Sequence, residues 1–202
     1  MIGKLIKIGC GVGSALMLFV CICLSLITIP NCGGQITNTF QDDQVNDTDP
    51  EPPPDGEATC DNAGVSYPDN PFSGWPMNRS WGDVNYYYCA ANYYQEFGRT
   101  HWGIDLNAHH REPVYATANS TVVRAYYDTV YGMGRNVKIC TNSGWCAIYM
   151  HLDEWVVSAG DNVNRGDLLG YTDNTGFSTG THLHYQINNP AGSPVDPAPT
   201  FN

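Results

Sequence analysis

From Pro113 onward the chain is written in short apolar runs: Pro113 to Ala116, Thr121 to Tyr127, Asn136 to Ile139, Ala147 to Leu152, Asp167 to Tyr171 and Thr181 to Asn188. Each is rich in β-branched or aromatic residues, and glycines or Asn and Asp turns separate them. No stretch holds a 3.6-residue apolar period long enough for a long amphipathic helix, and there is no internal repeat. The pattern predicts an all-β fold of antiparallel sheets.

Four of the six histidines sit in three short clusters, His101-Trp-Gly-Ile-Asp105, Met150-His151-Leu152 and Thr181-His182-Leu183-His184. Side chains alternate along a strand, so His182 and His184 share a face about 7 Å apart. His101 and Asp105, four apart, also share a face in extended chain, and Gly103 between them permits close backbone approach. Two neutral imidazoles and one carboxylate from these clusters make a three-ligand zinc site with an open fourth position, the arrangement of catalytic rather than structural zinc. The two remaining histidines are then free for proton transfer. His109 and His110 compete for the ligand role, because His101, Asp105 and His109 recur at intervals of four. That series converges only on a continuous helix, which Gly103, Asn107 and Arg111-Glu112-Pro113 oppose. A His-Glu-x-x-His helix is absent from the sequence.

The stretch from His101 resembles the lysostaphin-type (LytM-like) zinc endopeptidases, which cut peptide cross-links in bacterial peptidoglycan. The resemblance runs in order through HWGIDLNA, the PVYATANSTVVRA run from Pro113, GMGRNVKI, AIYMHLDEW, VSAGDNVNRGDLLGYTDNTGFSTGTHLHYQI and a closing PVDP. It implies a sheet-lined groove, one Zn²⁺ on His101, Asp105 and His184, and catalytic roles for His151 and His182. The chain departs from the family pattern at Asn119-Ser120, where an acidic residue or glycine followed by glycine is usual, and at Asp173, where glycine is usual. Both positions read as turns, where Asn and Asp tolerate left-handed backbone. With every implied ligand present, the sequence argues against the relatives that keep the fold and serve only as wall-binding or activator modules. A non-haem iron enzyme using the same two-histidine, one-carboxylate set is a further alternative.

The organisation expected is threefold. Ile8 to Ile29 form 22 uncharged residues preceded by Lys4 and Lys7, so residues 1–32 read as a transmembrane signal anchor with the C-terminal part outside the cytoplasm; the alternative is a cleaved signal and a secreted protein. Residues 33–59 carry seven acids, no base and a Pro52-Pro53-Pro54 run, which makes them a solvated, disordered linker. Residues 60–202, with the resemblance confined to a core at 99–198, are long enough for one packed domain. This domain has thirteen acids against seven bases, which excludes a nucleic-acid footprint and leaves the anchor, not charge, to hold it near an anionic wall.

Four cysteines lie in or beside the apolar segment and four in the domain. Cys140 and Cys146 flank Thr-Asn-Ser-Gly-Trp between two strand-like runs, a hairpin closed by a cross-strand disulfide. Cys60 with Cys89 follows by elimination, an exported domain being where disulfides persist. The tyrosines at 86–88 and 93–94 read either as loop packing or as a wall of the substrate groove.

Overall fold

The computed structural model describes residues 60–202; the anchor expected at 1–32 and the linker at 33–59 lie outside the described residues. Ten strands form one antiparallel sheet: β1 (Val84–Tyr86), β2 (Ile104–Asn107), β3 (Pro113–Tyr115), β4 (Ser120–Asp128), β5 (Gly134–Cys140), β6 (Cys146–Trp155), β7 (Asn162–Val163), β8 (Leu168–Thr172), β9 (His182–Asn188) and β10 (Pro194–Val195). A seven-residue helix, α1 (Ala91–Phe97), and three short 3₁₀ turns complete the described chain. The architecture is all-β. Among the described residues no helix is long and apolar enough to cross a membrane.

The main sheet runs β1-β2-β9-β6-β5-β4-β7, with β8 linking β6 to β3 and β10 on the margin of β9. Its centre is therefore β2-β9-β6, contributed by segments far apart in sequence. Alternation fixes the buried face there: Ile104 and Leu106 on β2, Leu183, Tyr185 and Ile187 on β9, and Ala147 and Tyr149 on β6 are all fully buried. Removing each large side chain from water stabilises the fold by about 1.5–3 kcal/mol. A one-residue slip would send this whole set to solvent, so the core also fixes register. Three hydroxyls survive in it because they satisfy one another. Thr117 Oγ1 lies 2.9 Å from the Tyr149 hydroxyl and 2.8 Å from the Tyr185 hydroxyl, tying β6 and β9 together beneath the opposite face. Burial raises both phenol pKa values well above 10, so the network stays neutral.

The hairpin β5–β6 places Cys140 directly opposite Cys146, and the two are disulfide-bonded, as are Cys60 and Cys89. The turn reading holds at Asn119, in the bend 117–119 that leads into β4, and is corrected at Asp173. Ser120 opens β4 and Asn119 Oδ1 accepts the Arg165 N–H, while Asp173 bridges to His182; none has positive φ. Among the described residues, the non-glycine residues with left-handed backbone are Cys89, Arg111 and His151.

Candidate metal centre and catalytic cleft

The same alternation that buries Leu183 and Tyr185 turns His182 and His184 to the other face of β9. On β2, Asp105 sits directly across from His184 and Asn107 across from His182. On the far side of β9, Met150 of β6 pairs with His184, which brings the next residue, His151, beside the site. Strict alternation would drive His151 into the core after Tyr149. It does not, because the β5–β6 register shifts there, with Val137 opposite Tyr149 but Arg135 opposite Leu152. The extra residue is a bulge, and His151 takes it at φ 65°. Bulges re-aim side chains, and non-glycine residues at such backbone angles cluster at functional sites.

His101 lies three residues ahead of β2. Its Nδ1–H donates to the Tyr87 carbonyl at 2.9 Å, which leaves Nε2 facing Asp105 Oδ1 at 2.9 Å. His184 Nδ1 lies 2.7 Å from that same Oδ1 and 3.0 Å from His101 Nε2. Three potential ligand atoms thus meet in one buried triangle, formed by the residues expected from the sequence. Gly103 allows the approach, since a Cβ there would fall 2.6 Å from His184 Nε2 and 2.5 Å from the Tyr185 carbonyl oxygen.

Electrostatics suit a cation. Burial alone would raise the Asp105 pKa, but hydrogen bonds from His101 and His184 outweigh it and hold the carboxyl well below its usual range. Burial pushes His184 down, favouring the neutral ring. One carboxylate and two imidazole nitrogens packed within 3.0 Å repel when all present lone pairs. A divalent ion that prefers N and O donors resolves that conflict, so the donor set fits zinc.

The other two histidines are held the same way as His101, each by a backbone carbonyl. His151 Nδ1–H donates to Thr175 O at 2.7 Å, and His182 Nδ1–H to Gly180 O at 2.7 Å. Their rings lie 4.7 Å apart between centroids, and His182 Nε2 is 3.6 Å from Asp105 Oδ2. Burial, then the neighbouring His182, lowers the His151 pKa to about 3, so the ring is neutral at pH 7 and its Nε2 carries an open lone pair.

A cleft opens over this face. Asn85, Tyr86, Tyr93 and Phe97 line one side, the segment Phe177–His182 the other, with Asp105 and Asn107 between. The tyrosine-rich stretch therefore splits: Tyr86 and Tyr93 are wall, Tyr87 is half exposed, and Tyr88 is buried against Asn62 and the Pro194 carbonyl. The site residues the sequence missed are carbonyls and polar wall groups: Tyr87 O, Thr175 O, Gly180 O, Asn85 and Asn107. Backbone atoms carry no residue-type signal. His109 and His110 stay apart from the site. β2 is a strand and not a helix, and His110 instead pairs with Asp173 at the surface.

The model of the family described as "Peptidase family M23" matches residues 99–197. Residues 99–197 are a peptidase family M23 domain. Glycyl-glycine endopeptidase ALE-1 of Staphylococcus capitis is 37% identical over 93 residues, covering 44% of this chain and 25% of that protein. Lysostaphin of Staphylococcus staphylolyticus is 36% identical over 93 residues, covering 44% and 18%. A zinc-containing peptidase from Vibrio cholerae matches in structure with a TM-score of 0.55 at 27% identity, over 63% of this chain and 39% of that one. The matched stretch spans about a fifth to a quarter of the curated relatives' length. The relatives are metallopeptidases, and family membership implies a metal, usually zinc.

Proposed function

We propose that this protein is a zinc metalloendopeptidase that hydrolyses peptide bonds in the stem or cross-bridge peptides of peptidoglycan, acting in wall remodelling or lysis. The observation that carries the reading is the meeting of His101 Nε2, Asp105 Oδ1 and His184 Nδ1 within 3.0 Å, with His151 and His182 beside them. His101, Asp105 and His184 would hold the ion. Zinc, when bound, supplies Lewis acidity that polarises the scissile carbonyl and activates water.

The chain's own groups do the rest. His151, neutral and aimed by Thr175 O, takes the proton of the attacking water at Nε2 and delivers it to the leaving amine. His182, with Nδ1–H committed to Gly180 O, presents Nε2 to the same space; carrying a proton there, it steadies the developing oxyanion, and without one it shares the transfer. The cleft walls orient the peptide across both. Aromatic bodies with polar tips at Tyr86 and Tyr93 suit a peptide backbone of glycine and D-residues.

The residues Ile8 to Ile29 would serve as a retained signal anchor, holding the domain outside the cytoplasm at the membrane; secretion after cleavage is the alternative. Two disulfides in the domain support an oxidising location. Incubating the purified chain with defined peptidoglycans and identifying released fragments by mass spectrometry tests the activity. New amine and carboxyl termini within wall peptides are expected. Wall binding without any cleavage would instead assign the chain to the activator class.

A further inference from the structure

Residues 60–98 precede the stretch that the family model matches, yet they reach the metal centre. His101 is gripped from two directions by one short segment: its Nδ1–H donates to Tyr87 O at 2.9 Å, and its carbonyl accepts the Cys89 N–H at 2.8 Å. Cys89 makes this grip at φ 55°, a backbone region non-glycine residues avoid unless something holds them there. What holds it is the bond to Cys60. The far end is itself fastened to the sheet margin. Asn62 Nδ2 donates to Pro194 O at 3.1 Å, Gly64 N–H to Asp196 Oδ2 at 2.7 Å, and the Tyr88 hydroxyl reaches both Asn62 Oδ1 and Pro194 O. An unbroken line of contacts therefore runs from β10 through Asn62, Cys60 and Cys89 to the ring of His101.

We propose that the Cys60–Cys89 disulfide is a positioning element for His101, so that metal binding at His101, Asp105 and His184 is tight only when this bond is oxidised. The proposal rests on the metal-centre reading above. Carbonyl partners of ligating histidines fix the tautomer and the ring orientation, and losing one costs 10- to 100-fold in metal affinity. With the bond cut, Cys89 relaxes from its left-handed backbone, Tyr87 O withdraws from Nδ1–H, and the Nε2 lone pair is no longer aimed. Cys140–Cys146 instead closes the end of the β5–β6 hairpin, where Cys146 pairs with Asn188, four residues along β9 from His184, and it does not lie in the Tyr87–Cys89 segment that grips His101.

The test is zinc affinity of the full chain, by competition with a chromophoric chelator, for the wild type, Cys60→Ser/Cys89→Ser and Cys140→Ser/Cys146→Ser. The first pair should weaken zinc binding by about 10- to 100-fold and lose the slowly exchanging imidazole Nδ1–H NMR signal of His101. The second pair should keep zinc affinity within about twofold, whatever its melting temperature does. Equal weakening in both pairs, or none in the first, overturns the proposal. Should the first pair not fold, zinc-loaded protein in the Cys140→Ser/Cys146→Ser background is reduced and zinc release to chelator timed. Release about tenfold faster supports the proposal, and an unchanged rate overturns it. An oxidised wild type that binds no zinc, or a His184→Ala that binds it as well, defeats the underlying reading and the proposal with it.

Discussion

Gly103→Ala offers a sharp test of how the centre is packed, because one methyl group meets both a proposed ligand, His184, and the strand that carries it. The new Cβ would lie 2.5 Å from Tyr185 O, 2.6 Å from His184 Nε2 and 2.8 Å from His184 Cε1. Ordinary contact at such atoms begins near 3.4 Å, so β2 and β9 must part by roughly 1 Å, and the obstacle includes backbone that cannot swing away. Overpacking of this kind costs about 1–3 kcal/mol of stability. The effect on the metal should be larger than its effect on the fold. Ligand distances tolerate about ±0.2 Å, and the parting moves His184 against Asp105, whose atoms now stand 2.7 Å apart. Zinc affinity should fall at least about tenfold, read by chelator competition, while thermal melts of the metal-free protein report the smaller loss. Gly82→Ala is the control, since its Cβ would meet nothing closer than Ser80 Oγ at 3.9 Å. Wild-type affinity and melting temperature in Gly103→Ala would refute the argument.

Three further outcomes are expected. In metal-free protein, His151 is held at about 3 against an ordinary value near 6.5, so the unfolded chain takes up its proton first. Stability present above pH 6.5 should therefore decline as pH falls toward 3, by up to about 1.4 kcal/mol per pH unit for this group. His184 shifts in the same direction, and the lowered Asp105 adds its own loss below its ordinary range; melts that are flat between pH 7 and 5 would contradict this. Breaking Cys140–Cys146, with a sequence separation of 6, should cost no more than about 2–3 kcal/mol of unfolding free energy; a loss above that in denaturant titration would mean the bond does more than close a short loop. Full-length protein should fractionate with membranes and yield its C-terminal domain to protease added outside the cytoplasm, whereas recovery as soluble protein starting near Cys32 would favour secretion.

Much of the site was legible because strand alternation is a strong code. Thr181 to Asn188 reads correctly as a strand, which alone places His182 and His184 on one face and Leu183 and Tyr185 in the core. The same rule would have misplaced His151, since nothing in Met150-His151-Leu152 announces a bulge; that depends on how β5 and β6 align. Strands β1, β7 and β10 have only two or three residues, too few to show a period, and they exist because longer neighbours offer open edges. Asp173 was misread because residue type shows what the backbone tolerates, whereas neighbouring chain decides what it adopts: Asp173 is caught by His182 in a β-bridge. The cleft wall at 85–97 was half visible as a run of tyrosines, but whether such rings pack or line a groove is set by tertiary position.

The division between metal ligands and proton-transfer groups is the centre of the account, and two substitutions measured in parallel test it most directly. Zinc per chain is determined by elemental analysis beside peptidoglycan cleavage for His184→Ala and His151→Ala, with Asp105→Ala and His182→Ala as their respective companions. His184→Ala removes one of three ligands, so zinc and turnover should both be lost. His151→Ala leaves the triangle of His101, Asp105 and His184 whole, so zinc should stay near one per chain while turnover falls by roughly 10²- to 10⁴-fold. A His151→Ala protein that loses zinc beside a His184→Ala protein that keeps it would contradict the account.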